Sequence, residues 1–173
     1  MDHYIPKRRI PVTLWSSNLA GLAGSIFLDL DAAGNQHQTL LEKLNESARF
    51  LPVAVGPEGR IHLVNKLRIT RVTAGRQVVQ SDVFDRGFKP WREEPAELLL
   101  SDGTMLAGRI WMPLERETQR ISDFMNGRGA YVALLTPVAV HLVNAAAIAS
   151  MQVSEAVGAP LARASTDGFA AAA

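Results

Sequence analysis

The chain contains one pattern twice, and that repetition limits what it can fold into more than any other feature. Leu22-Ala23-Gly24-Ser25-Ile26-Phe27 is answered by Leu106-Ala107-Gly108-Arg109-Ile110-Trp111. Further along, His62-Leu63-Val64-Asn65 with Ile69 after it is answered by His141-Leu142-Val143-Asn144 with Ile148 at the same offset. Either short match alone is within reach of chance. Two matches in one order, at similar separation, argue for a duplicated unit of about 60 residues. The boundaries read as 10–74 and 96–153, with 75–95 a connector containing prolines and mixed charge, and 154–173 an Ala-rich flexible tail.

Within each copy the local patterns change in the same sequence. Val12–Trp15 and Glu97–Leu100 read as strands, followed by turn residues Ser16-Ser17-Asn18 and Ser101-Asp102-Gly103. The returning strand carries Gly24 or Gly108 at its middle, which marks a bend or a close backbone approach. Next come 35–45 and 116–126, where apolar residues recur at helical spacing, with Leu40/Leu44 and Ile121/Phe124/Met125 as buried stripes. Asn35 and Gln38 have the form of a capping box, and Asn126-Gly127 that of a helix stop. Phe50–Val55 and Tyr131–Leu135 give a third strand, and the two HLVN stretches a fourth.

Alternation places Ile61, Leu63, Asn65, Leu67 and Ile69 on one buried face, and Val140, Leu142, Asn144, Ala146 and Ile148 on its counterpart. Asn tolerates turn conformations, so Asn65 and Asn144 are expected where one strand ends and another begins. The order in each copy is strand, strand, helix, strand, strand, tight turn, strand. The expected class is mainly β with short helices (α+β).

That order, with Leu100-Ser101-Asp102-Gly103-Thr104-Met105-Leu106-Ala107-Gly108-Arg109-Ile110 and then Val140-His141-Leu142-Val143-Asn144-Ala145-Ala146-Ala147-Ile148, resembles the two motifs of the Sm-like (LSm/Hfq-like) small β-barrel family. The first copy keeps Gly24, but Leu19 stands where Gly103 does. The resemblance implies two tandem small barrels, each with a short helix inserted between its second and third strands. It also implies ring assembly through pairing of one barrel's fourth strand with the next barrel's fifth. Three chains would then make a pseudo-hexameric ring. The family's usual Asp and Asn after the second strand are missing, with Pro113-Leu114-Glu115 there, and its Arg-Gly is replaced by Val64-Asn65 and Val143-Asn144. RNA binding is therefore not carried over by the resemblance.

Composition narrows the chemistry. The chain has no cysteine, which removes disulfides, thiolate nucleophiles and Cys-ligated metal centres. Eighteen Lys and Arg against seventeen Asp and Glu leave a net charge of +1, so any attraction to nucleic acid must be local. No apolar run reaches the length of a membrane span and the basic start lacks a signal-peptide core, so a cytoplasmic protein without membrane insertion is expected. No nucleophile elbow, Walker loop, dinucleotide fingerprint or zinc-protease helix occurs. Neither His62 nor His141 has a ligating side chain two residues away, and each reads as a partly exposed strand residue at a protein interface. The sequence thus gives no grounds for expecting an enzyme, a cofactor or a metal.

Two features remain as binding signals. Lys66, Arg68 and Arg71 fall near the last strand of the first copy and could contact an anionic partner such as RNA, whereas Ala145, Ala147 and Ser150 occupy the second copy. Trp91 in the connector is either a buried plug or an exposed anchor. The leading expectation is an assembly or interaction module working through strand edges, by self-association or with a protein partner. The alternatives are an RNA-binding regulator and a ligand-binding accessory subunit.

Overall fold

The computed structural model describes residues 7–31, 33–34, 38–78, 80–85, 88, 90–113, 120–127 and 129–153. The first half holds β1 (Lys7–Ser16), β2 (Leu19–Asp29), α1 (Leu40–Asn45), β3 (Phe50–Val55), β4 (Arg60–Asn65), a 3-10 turn (Lys66–Arg68) and β5 (Ile69–Gly75). A short α2 (Gln80–Val83) follows. The second half holds β6 (Pro90–Leu100), β7 (Met105–Pro113), α3 (Ile121–Gly127), β8 (Tyr131–Leu135), β9 (Ala139–Asn144), a 3-10 turn (Ala145–Ala147) and β10 (Ile148–Val153). The protein is mainly β with a few short helices. Among the described residues, no helix is long and apolar enough to cross a membrane.

The ten strands form one antiparallel sheet in the order β10-β6-β7-β8-β9-β5-β1-β2-β3-β4. Read in halves, this is β5-β1-β2-β3-β4 and β10-β6-β7-β8-β9, joined where β9 pairs with β5. Register repeats as well as order. Val12 faces Gly24 as Ala96 faces Gly108, Ser25 faces Ala54 as Arg109 faces Leu135, and Val53 faces His62 as Leu134 faces His141. Even the irregularity at the end of the first strand recurs, between Trp15 and Ser16 against β5 and between Leu99 and Leu100 against β10.

Gly24 and Gly108 explain themselves at the equivalent point. A Cβ on Gly24 would lie 2.7 Å from Val53 Cγ1 and 2.8 Å from the Ala54 carbonyl oxygen. One on Gly108 would run into the Leu135 carbonyl oxygen and lie 3.0 Å from Leu134 Cγ. At both positions the neighbouring strand comes too close for any side chain.

Two apolar clusters form the core, and β8 and β9 belong to both. Tyr131, Ala133 and Leu142 pack with Ile10, Leu14, Ile26, Leu28, Leu51, Val53 and Val72. Their neighbours Val132, Leu134 and Val143 pack with Leu98, Leu100, Ile110 and Phe124. Strand alternation thus sends successive residues of β8 and β9 into opposite halves, so the halves share a wall.

Two details differ from the sequence reading. Helix α1 begins later than expected, because the capping box is Thr39 with Glu42: Glu42 N donates to Thr39 Oγ1 and Thr39 N donates to Glu42 Oε2. The expected caps Asn35 and the helix start at 116–119 fall outside the described residues. The connector 75–95 is shorter, since Gly75 belongs to β5 and residues 90–95 to β6. Prolines are tolerated in β6 because, among the described residues, β10 pairs with Ala96–Leu100 and Pro90 and Pro95 have a ladder on the β7 side alone.

Candidate functional site

The row Ile61, Leu63, Leu67 is not buried as alternation suggested. Ile61 is 56% exposed, Leu63 68% and Leu67 68%, with Phe50 on the adjoining β3 at 51%. The equivalent second-half residues Val140, Leu142 and Tyr131 pack into the first-half core. The difference is one of position. Strand β9 is covered by β5, whereas β4 ends the sheet among the described residues. A large apolar row beside open backbone donors and acceptors is the feature of this surface that most calls for a covering strand.

The internal junction shows how such an edge is covered. Val72 faces Leu142, Thr73 faces His141 and Ala74 faces Val140. Around the ladder, side chains of each half hold the other's backbone. Tyr131 N donates to Asn45 Oδ1 at 2.9 Å, and Asn45 Nδ2 donates to the Tyr131 carbonyl at 3.2 Å, so the last residue of α1 acts as a further pairing partner for β8. Tyr131 Oη donates to the Lys66 carbonyl at 2.8 Å, and Asn144 Nδ2 donates to the Ile69 carbonyl at 3.0 Å. Burial pushes the Tyr131 phenol well above its ordinary pKa, which keeps it a donor there.

Asn65 and Asn144 sit at the ends of β4 and β9, where each side-chain oxygen accepts from the backbone N–H two residues on, Leu67 or Ala146. His141 is half-buried, with Nδ1 3.1 Å from Thr73 Oγ1. Burial, and then the Arg71 charge, lower its pKa below the usual histidine value. His62, its counterpart, is exposed on β4. The backbone of Trp91 lies in β6, and its side chain is outside the described residues.

Lys66, Arg68 and Arg71 do not make a common cationic surface. Lys66 is buried and its Nζ donates to the Leu44 and Glu46 carbonyls, closing the C-terminal end of α1. Arg71 is buried with its guanidinium carbon 4.4 Å from the Trp15 ring centroid, beside Asp102, whose carboxylate also accepts from Thr70 Oγ1. Only Arg68 of the three is exposed. The sequence could not reveal this, because a 3-10 turn between β4 and β5 rotates Lys66 inward out of the strand alternation.

Phe84, Phe88 and Trp111 form a stack, with centroids 4.7 Å apart for the first pair and 5.5 Å for Phe84 and Trp111. Apolar cavities of about 220 and 160 Å³ flank it, the larger walled by Val78, Val83, Leu135 and Val140. Among the described residues, no three His, Asp or Glu side chains converge in a way that could hold a metal ion. Comparison of the chain with protein-family models, with curated proteins and with solved structures finds no match.

Proposed function

We propose that the chain is a non-enzymatic assembly module: two copies of an Sm-like unit, fused so that one inter-unit strand pairing is made internally, with the remaining strand edges used to build or join a protein complex. The observation that carries this reading is the contrast between β9 and β4. The same strand of the same repeating pattern is buried by a neighbouring strand in one half and presents Ile61 and Leu63 to solvent in the other. An apolar strand edge of this kind is completed by addition of a strand from another molecule. With Lys66 and Arg71 buried, only Arg68 of the three basic residues stands exposed, which favours the assembly reading over the RNA-binding one.

The test is a pair of charges placed on the edge. In cell extract the wild-type chain is expected to migrate above single-chain mass. The double variant Ile61→Lys, Leu63→Lys is expected at single-chain mass with an unchanged thermal midpoint, because both side chains are exposed in the fold. Equal masses for the two proteins would overturn the reading.

A further inference from the structure

We propose that the larger apolar cavity beside the Phe84 and Trp111 rings is a binding site for a small aromatic carboxylate, whose ring lies against those two side chains and whose carboxylate is held by Arg76. Residues between β5 and β6, which lie outside both halves of the sheet, build one side of it: Arg76, Val78, Gln80, Val83 and Phe84. The other side is Trp111 of β7 and the hairpin that joins β8 to β9. The cavity therefore sits where the β5–β9 ladder runs out, with Gly75 opposite Ala139 as its last pair.

Volume sets the size of the occupant. An apolar cavity of about 150 Å³ is enough to hold benzene, so the 220 Å³ here admits one six-membered ring with a short substituent. Phe84 and Trp111 both line the space, their planes inclined by 26°. A guest ring in contact with them gains from offset or edge-to-face geometry beyond the area it buries, which favours an aromatic body over an aliphatic one. The smaller cavity borders the same two side chains, so the stack has free space on both sides and its rings have room to shift as a guest enters.

The polar groups of the lining gather at the mouth, where Arg76 and Gln80 are exposed beside Val138. The Thr136 hydroxyl is engaged within its own turn, donating to the Ala139 carbonyl and accepting from the Ala139 N–H. Arg76 is different. Its Nη2 donates to the Pro137 carbonyl at 3.1 Å, which fixes the guanidinium against the hairpin turn, and among the described residues no carboxylate forms an ion pair with it. A planar cation anchored at an apolar mouth and lacking an anion is matched by a carboxylate, which accepts from it through parallel N–H donors. Because the mouth is open, the ligand's charge keeps water on one side while its ring leaves water, and no ion has to be buried.

Calorimetric titration of the full chain with phenylacetate tests this. Saturable binding to one site per chain is expected, with a dissociation constant below about 1 mM, and acetate, which lacks the ring, is expected not to bind. Arg76→Ala is expected to weaken phenylacetate about tenfold while leaving the uncharged phenylacetamide unchanged. Ala139→Leu, whose larger side chain fills the cavity, is expected to abolish binding of both. Val138→Glu, a change at an exposed residue that the fold tolerates, sets a second carboxylate at the mouth and is expected to lose phenylacetate while keeping phenylacetamide. Absence of saturable binding up to about 10 mM overturns the proposal, as does hexanoate binding as tightly as phenylacetate, or phenylacetate binding unchanged by both Arg76→Ala and Val138→Glu. None of these readouts depends on whether β4 finds a partner.

Discussion

Asn45, the last residue of α1, makes both hydrogen bonds to the backbone of Tyr131, the first residue of β8, across the boundary between the two halves. Acting through its side chain, a helix end here does the work of a strand. Asn45→Ala leaves the Tyr131 N–H and carbonyl without these partners. We expect it to lower stability by about 1–2 kcal/mol in denaturant unfolding, while Asn126→Ala lowers the stability of the isolated chain by less than about 0.5 kcal/mol.

The two close approaches at glycine differ in severity. Gly108→Ala drives a methyl group into the Leu135 carbonyl, whereas at Gly24 the Val53 methyl and the Ala54 carbonyl oxygen stand slightly farther off, at 2.7 and 2.8 Å. Both alanine variants are expected to be destabilised, by about 1–3 kcal/mol, with Gly108→Ala the worse of the two in a thermal or denaturant melt.

Arg68 and Arg71 are separated by function although only two residues lie between them. Arg71→Ala removes a buried side chain stacked on Trp15 and is expected to cost about 1–3 kcal/mol. Arg68→Ala changes an exposed residue and is expected to stay within about 0.5 kcal/mol of wild type. Lys66→Ala should behave like Arg71→Ala, because it takes the ammonium donor from the Leu44 and Glu46 carbonyls.

His141 makes the junction sensitive to acid. Its folded pKa is lowered, first by burial and then by Arg71, so below the ordinary value of about 6.5 the unfolded chain binds a proton that the folded chain resists. The unfolded state then holds more protons, and stability falls as pH drops through about 6.5. His141→Gln, which keeps a hydrogen-bonding group beside Thr73, is expected to flatten this slope in melts taken between about pH 7 and pH 5.

Much of the strand pattern was legible in the chain because two short stretches, Leu-Ala-Gly and His-Leu-Val-Asn, each recur in it. Gly24 with Gly108, Asn65 with Asn144, and the strand order around them could each be checked against a counterpart. What escaped was whatever depends on neighbours. Nothing in Ile61-His62-Leu63 distinguishes a covered strand from a bare one, since coverage of β9 comes from β5, distant in sequence. The capping role of Lys66 was hidden because it follows from the turn that swings it towards α1. Prolines in 90–95 read as a connector because sequence does not reveal that, among the described residues, the pairing of β6 with β10 ends at Ala96.

The two halves follow one another in the same sense, with β9 of the second joined to β5 of the first. A sheet arranged in this way has polarity: among the described residues one end is β4, the fourth strand of its half, and the other is β10, the fifth strand of its half. Any growth by this geometry is directional, and a fragment able to supply only one kind of end would terminate it.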